Sequence, residues 1–263
     1  MKEEMDWCCI AAVNNIDVLE QNLARSPALQ RSPARLIVKH GQPSSSIAYN
    51  VGLNQTQSRI CIFAHQDVYL PENWEVKLRQ KIDALEKYDP SWAVIGLYGI
   101  DLAGKRVGRV WDTGIQRELG SKFNSHIPVQ SLDELLLVVN RNSGLRFDEN
   151  LPSFHLYGTD IVQTAIASGK GAYVVDVPVV HNSLPVATVR GGFAASYKYM
   201  QNKWRDRLPI STPVTCITRG GWEFVWQDIR RFRLSVNRRK RVRAALSGPR
   251  PDPRKIALEL GYE

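Results

Sequence analysis

No stretch of the 263 residues approaches the roughly 18 uninterrupted apolar positions of a membrane span. The start, Met1-Lys2-Glu3-Glu4-Met5-Asp6, carries both signs of charge and leads into only a short apolar run. A secretory signal would have a basic start, a longer apolar stretch and a small-residue cleavage site. Both absences predict a cytoplasmic protein. Cysteine is scarce, at four residues, and Cys8, Cys9, Cys61 and Cys216 show neither a CxxC pair nor metal-knuckle spacing. Buried, reduced thiols acting as small hydrophobes are the expectation. No internal repeat is visible, which sets aside solenoids and propellers.

What is present suits one large α/β domain. Hydrophobic residues make up 43% and charged residues 23%, enough for a core inside an ordinary polar surface. The formal charge of +9 is concentrated. Arg230, Arg231, Arg233, Arg238, Arg239, Lys240, Arg241 and Arg243 form an acid-free run, and removing those eight leaves 9 − 8 = +1 for the rest. The body is nearly neutral and the tail is a cationic arm.

Apolar runs of strand length alternate with helical patterns over the first hundred residues. Trp7 to Val13 reads as a strand, Ile16 to Ala24 as a helix, and Arg35 to Lys39 as a second strand. Ser44 to Ser46 caps a helix reaching about Gln55, because serine side chains satisfy free N–H groups at a helix start. Arg59 to Ala64 is a third strand, Pro71 opens a helix through Tyr88, and Trp92 to Tyr98 is a fourth strand. This alternation predicts βαβ units around a mostly parallel sheet flanked by helices. Further on, Lys105 to Trp111, Leu135 to Asn140 and Ala172 to Val180 read as strands, with a loop over Gly114 to Ile127. Leu156 to Ser168 and Phe193 to Arg207 read as helices. The expected organisation is a catalytic domain over 1–218 followed by a basic helical extension over 219–263.

Three polar clusters fall where open α/β sheets place their ligands, just beyond strands or at a helix start. They are Ala64-His65-Gln66-Asp67-Val68, Tyr157-Gly158-Thr159-Asp160 and Val179-Val180-His181-Asn182. Ala48 to Asn54, followed by Arg59 to Asp67, resembles the helix and strand that lead into the acidic site of family 2-like glycosyltransferases with the GT-A fold. Leu137 to Arg141, Leu145 to Glu149, Tyr157 to Asp160, Gly169 and Val177 to His181 resemble that family's acceptor half. The resemblance covers roughly Trp7 to His181, with the ordered spacing of Asp160, Gly169 and His181 its most specific part. It divides the domain into a donor half, 1–100, and an acceptor half, 101–218.

The resemblance implies an inverting, metal-assisted transfer of a sugar from a nucleotide-diphosphate donor, with UDP the expected nucleotide, to a hydroxyl of a glycan or lipid-linked acceptor. A divalent cation, Mn²⁺ or Mg²⁺, assists departure of an anionic diphosphate. Oxygen from Asp67 suits either ion and imidazole from His181 suits Mn²⁺. Asp160 takes the place of the base that deprotonates the acceptor hydroxyl. Asn14, Gly41, Asn50 and Gln66 fall in the nucleotide half, and Arg190 beside Gly191-Gly192 could belong to a loop that closes over the diphosphate. One departure stands out: the family's Asp-x-Asp is His65-Gln66-Asp67 here, so His65 is either a second nitrogen ligand or a hydrogen-bonding residue.

Alternatives remain for each part. A related nucleotidyltransferase would carry a Gly-rich, basic loop after the first strand, and Val13-Asn14-Asn15-Ile16-Asp17 is nothing of the kind. A non-catalytic sugar-nucleotide binder is motivated by the altered acidic site. Trp222, Val225, Trp226, Ile229, Phe232 and Val236 fall near helical spacing among the tail arginines, which predicts a basic amphipathic helix. Residues 222–243 would then meet an anionic membrane surface at its cytoplasmic face, pack on the domain, or, as the weakest of the three readings, bind nucleic acid.

Overall fold

The computed structural model describes residues 5–184, 192–220 and 250–263. Its strands are β1 (Trp7–Val13), β2 (Leu36–His40), β3 (Ile60–Ala64), β4 (Val68–Tyr69), β5 (Trp92–Gly96), β6 (Tyr98–Asp101), β7 (Arg106–Asp112), β8 (Arg117–Gly120), β9 (Ile127–Leu132), β10 (Leu136–Asn140), β11 (Gly171–Val174), β12 (Val180–His181), β13 (Ile210–Ser211) and β14 (Cys216–Ile217). Helices are α1 (Ile16–Gln21), α2 (Pro27–Arg31), α3 (Ser45–Leu53), α4 (Trp74–Tyr88), α5 (Tyr157–Ala167), α6 (Phe193–Lys203) and α7 (Pro253–Glu259).

The large sheet runs β2-β1-β3-β10-β5-β11-β9-β6-β7-β12-β4, with β8 paired to β7. Along β2-β1-β3-β10-β5-β11 only β10 is reversed, since it is antiparallel to both β3 and β5 while the other pairings are parallel. The sheet therefore runs mostly one way through its centre and turns antiparallel towards β9, β6 and β7. Residues 1–100 and 101–218 both contribute strands to it.

Strand sequences explain this layering. β1, β3 and β10 are near-continuous apolar runs because both of their faces are covered. Successive side chains of β1 point to opposite sides. Trp7, Cys9, Ala11 and Val13 join one core with Leu19, Trp74, Leu78, Ile82 and Leu85 of α1 and α4. Cys8 and Ile10 join the other with Tyr49 and Leu53 of α3 and with Tyr157, Ile161 and Ala165 of α5. The α4 positions recur at three- and four-residue steps, so one stripe of that helix is buried. Ser44 accepts the Ile47 N–H at 3.3 Å and fixes the start of α3.

Helix α3 lies close on β1 at Gly52, where a Cβ would sit 2.4 Å from Cγ2 of the fully buried Ile10. Gly52→Ala gains helix propensity and loses packing. Overpacking wins, and we expect a net loss of about 1–2 kcal/mol in urea unfolding.

Two differences from the sequence reading matter. The segment over Gly114 to Ile127 contains β8, which pairs with β7, and β9 begins at its end. Ala172 to Val180 is not one strand: β11 stops at Val174 beside β5, and β12 resumes at Val180 beside β7, so His181 is carried to another part of the sheet. In the described residues α7 packs against β12, where Ala257 and Tyr262 are buried with Tyr69 and Val180. The amphipathic helix expected over 222–243 lies outside the described residues, as does Arg190. Among the described residues no helix is long and apolar enough to cross a membrane.

Candidate functional site: a two-histidine, one-aspartate cluster in a cleft

The turn after β3 carries His65, Gln66 and Asp67. His65 N–H donates to Leu135 O at 2.9 Å and Val68 N–H to His65 O at 3.2 Å, so the turn is tied at both ends. β4 then pairs with β12, setting Val68 opposite His181, while Asn182 N–H reaches Asp67 O at 2.8 Å. In this way the first and third polar segments of the chain meet. His65, Asp67 and His181 can each present a ligand atom within 4.8 Å of the others.

Both imidazoles are oriented by their outer partners. His181 Nδ1 lies 2.9 Å from Asp112 Oδ2, and a carboxylate can only accept, so Nδ1 carries the proton there. Its Nε2 faces Asp67 Oδ1 at 3.4 Å. Tyr157 O–H donates to Glu134 O at 2.9 Å, so His65 Nε2, 2.9 Å from the same phenol oxygen, is the donor in that contact. The Nδ1 lone pair of His65 is thereby freed. Carboxylate–imidazole contacts of this kind set the tautomer and orientation of metal-binding histidines.

The charges agree with the geometry. Burial works against a charged His181, but Asp67 and Asp112 overcome it and raise the group to about 10. Burial likewise opposes charge on Asp67, yet His181, His65 and Arg250 hold its carboxyl well below the usual range. His65 is lowered, chiefly by burial, and is neutral.

Two of the cluster's three residues, His65 and Asp67, line a cleft of roughly 730 Å³ together with Ala12, Val13, Asn14, Lys39, His40, Gly41, Gln42, Gln66 and Phe154. Most of these residues come from the ends of the parallel strands β1, β2 and β3 and the turns that follow. That is where open α/β sheets bind ligands.

Of the residues singled out in the sequence, Asn14, Gly41, His65, Gln66 and Asp67 line this cleft, and His181 can present a ligand atom within 4.8 Å of those of His65 and Asp67. Gln66 holds the β1 exit: its Oε1 accepts the N–H groups of Asn14 and Asn15 at 3.1 Å each, and its Nε2 donates to Asn14 Oδ1 at 2.6 Å. Gly41, at φ +65°, turns the chain after β2. Asn50 is elsewhere. Buried in α3, it bonds Phe147 O at 2.8 Å and Glu149 at 2.9 Å, and it receives the Phe147 N–H. Asp160 does not join the cluster either. Its carboxylate accepts from Lys203 Nζ at 2.8 Å and Trp204 Nε1 at 2.7 Å, and the residue is 2% exposed. Burial raises its carboxyl despite Lys203.

Sequence reasoning missed Asp112, Tyr157, Glu134 and Arg250. Asp112 is found only through the parallel register of β7 with β12, which sets it opposite His181. Glu134 lies at the start of α5, accepting the Gly158 N–H at 3.4 Å, and burial with neighbouring Asp133 pushes its carboxyl up to about 8.

That shift has a sign. A carboxyl raised from 4.5 to about 8 on folding keeps its proton while the unfolded chain loses one, so stability falls as pH climbs through that window. Glu134→Gln removes the titration and keeps an acceptor for Gly158. Because Glu134 is partly exposed, we expect less than the full shift: a gain of about 1–2 kcal/mol over wild type at pH 8, or roughly 2–8 °C in Tm, shrinking towards pH 5. Melting curves across pH measure it directly.

No protein-family model matches the chain. It is 29% identical over 184 residues to a protein described as ATP synthase subunits region ORF 6 from Fuscovulum blasticum, covering 65% of this chain and 71% of that one. Among solved structures it is similar to S. aureus TarS 1–349, at TM-score 0.45 and 13% identity over 78% of this chain. It is also similar to the mannosyltransferase PcManGT from Pyrobaculum calidifontis, solved with GDP-Man and Mn²⁺, at TM-score 0.45 and 14% identity over 76% of this chain. The chain spans 66% of the first structure and 62% of the second, just under two thirds of each.

Proposed function

We propose that the chain is a glycosyltransferase that takes a sugar from a nucleotide-diphosphate donor, with UDP the expected nucleotide, and passes it to a hydroxyl of a glycan or lipid-linked acceptor with inversion. The observation that supports this best is the meeting of His65, Asp67 and His181 at the cleft beyond β1, β2 and β3, which the first two line. Two oriented imidazoles and one carboxylate are a donor set that Mn²⁺ accepts more readily than Mg²⁺, with His181 giving up its Nε2 proton as the metal binds. A bound divalent cation would neutralise charge on the departing diphosphate. Asp112 and Tyr157 hold the two histidines in place for it. Asn14, Gly41 and Gln66 line the same cleft, where a base and ribose would lie against the β1 and β2 exits.

In this reading Asp160 is the proposed acceptor base, and its ion pair with Lys203 must open for the carboxylate to reach a hydroxyl. That same locked pair favours a second reading, a sugar-nucleotide binder that performs no transfer. The decisive experiment has two stages. Thermal shift against a panel of nucleoside diphosphates, with and without Mn²⁺, should show selective, metal-dependent stabilisation. A ligand at 100 times its Kd adds about 2.7 kcal/mol, or roughly 5–11 °C. No shift with any nucleotide would end both readings. Release of nucleoside diphosphate from a nucleotide sugar then separates the transferase from the silent binder. The proposed contact of 222–243 with an anionic membrane is tested separately, by sedimentation with anionic and neutral vesicles.

A further inference from the structure

The last fourteen residues, 250–263, do something the metal cluster alone does not require. Pro251 O accepts Asn182 Nδ2 at 2.9 Å, one residue from His181. Asp252 caps α7 through the Arg254 N–H at 2.9 Å and pairs with Arg25 at 3.1 Å. At the far end Glu263 takes the Tyr69 O–H at 3.0 Å and the Glu72 N–H at 2.6 Å, while Lys77 Nζ donates to Tyr262 O at 2.5 Å. The segment is strapped to the β4–β12 edge along its length, and its first residue arrives at the cluster. Arg250 Nη1 lies 3.3 Å from Asp67 Oδ2 and also donates to Asn182 O.

We propose that this strap delivers Arg250 as a fixed cation for the diphosphate of the nucleotide donor, an inference that rests on the nucleotide-site reading above. Three observations point there. Asp67 divides its oxygens, Oδ1 facing His181 and Oδ2 facing Arg250, so the guanidinium and the histidine side of the cluster do not contend for one atom. Both bonds come from Nη1, so among the described residues Nη2 and Nε of the fork stay available. The side chain is 16% exposed and contacts Asp67, a carboxylate that lines the cleft, so the guanidinium is held in one place directly beside it. A guanidinium fork matches phosphate oxygens in pairs, and a preordered one loses little entropy on binding. With histidine at position 65 instead of an acid, the cluster offers a metal less negative charge, and a resident arginine compensates on the phosphate side.

The test uses the full chain and isothermal titration with UDP and with uridine, each with and without Mn²⁺. Arg250→Gln should weaken UDP at least about tenfold and leave uridine unchanged, since a charge-assisted hydrogen bond is worth about 1.5–3 kcal/mol. Arg250→Lys should recover part of the loss. Uridine binding also reports that the variant's cleft is intact. Equal affinity of wild type and Arg250→Gln for UDP would overturn the strap inference alone, as would a parallel loss of uridine and UDP, which would make Arg250 a structural prop. A wild-type protein that binds neither these two nor the corresponding pairs of the other nucleosides would remove the nucleotide reading and this inference together.

Discussion

Asp67→Ala removes the Mn²⁺-dependent part of nucleoside-diphosphate binding, with metal affinity falling at least about 100-fold. Removing even an outer partner of a metal ligand costs about 10–100-fold, and Asp67 is the only carboxylate in the ligating triad. The substitution also leaves Arg250 without its carboxylate and His181 with Asp112 as its remaining acid partner. Asp67→Asn is therefore the companion variant, because it keeps shape and an acceptor oxygen while losing the charge. Both should lose the metal response, and Asp67→Asn should keep a Tm nearer to wild type. Mn²⁺ binding followed by electron paramagnetic resonance gives the first result, and melting curves give the second. Wild-type Mn²⁺ affinity in Asp67→Ala would show that the three side chains are a hydrogen-bonded cluster and nothing more.

Asp160→Asn is expected to cost stability before it costs anything else. The carboxylate, 3% exposed, is the buried partner of Lys203, which also reaches Asp148 Oδ2 at 2.7 Å. Breaking a buried pair by removing one member costs about 3–5 kcal/mol. Lys203 keeps Asp148 and is 25% exposed, so the lower end, about 3 kcal/mol, is the expected loss. For a chain of this size that is roughly 6–12 °C in Tm. The double variant Asp160→Asn, Lys203→Met should recover part of it, because the ammonium no longer faces a neutral buried amide and Asp148 still accepts the Tyr199 O–H at 2.7 Å. The same variants bear on catalysis. Transfer that vanishes in Asp160→Asn at a temperature where the protein is fully folded would support the base assignment, and full transfer would exclude it.

The central strands of the fold were legible because they are buried on both faces and so form unbroken apolar runs. Trp7–Val13 and Leu136–Asn140 stand out by that alone, and Ser44 announces α3 by its cap. The outer strands were harder. β8 reads Arg117-Glu118-Leu119-Gly120, with no buried residue, so its alternation hides among charges. β4 and β12 are two residues long, too short to show a period, yet their pairing builds the site. Asp160 was visible as a buried-helix acid in a recognisable spacing, but its pairing with Lys203 depends on how α6 packs against α5, over a separation of 43 residues.

Residue order alone carried the local decisions: which runs are apolar enough to be central strands, where helices start, and which acids and imidazoles follow strand ends. Whether those imidazoles meet was settled only by register. The break between β11 and β12 moves His181 from the β5 side of the sheet to β7 and β4, beside Asp112 and Asp67. Hydrogen-bond pairing between distant strands is a property of the assembled sheet, because no residue's neighbours in sequence encode which strand will lie 4.8 Å or so away. The arrival of Arg250 from the far end of the chain was decided at the same level, by the packing of α7 and Tyr262.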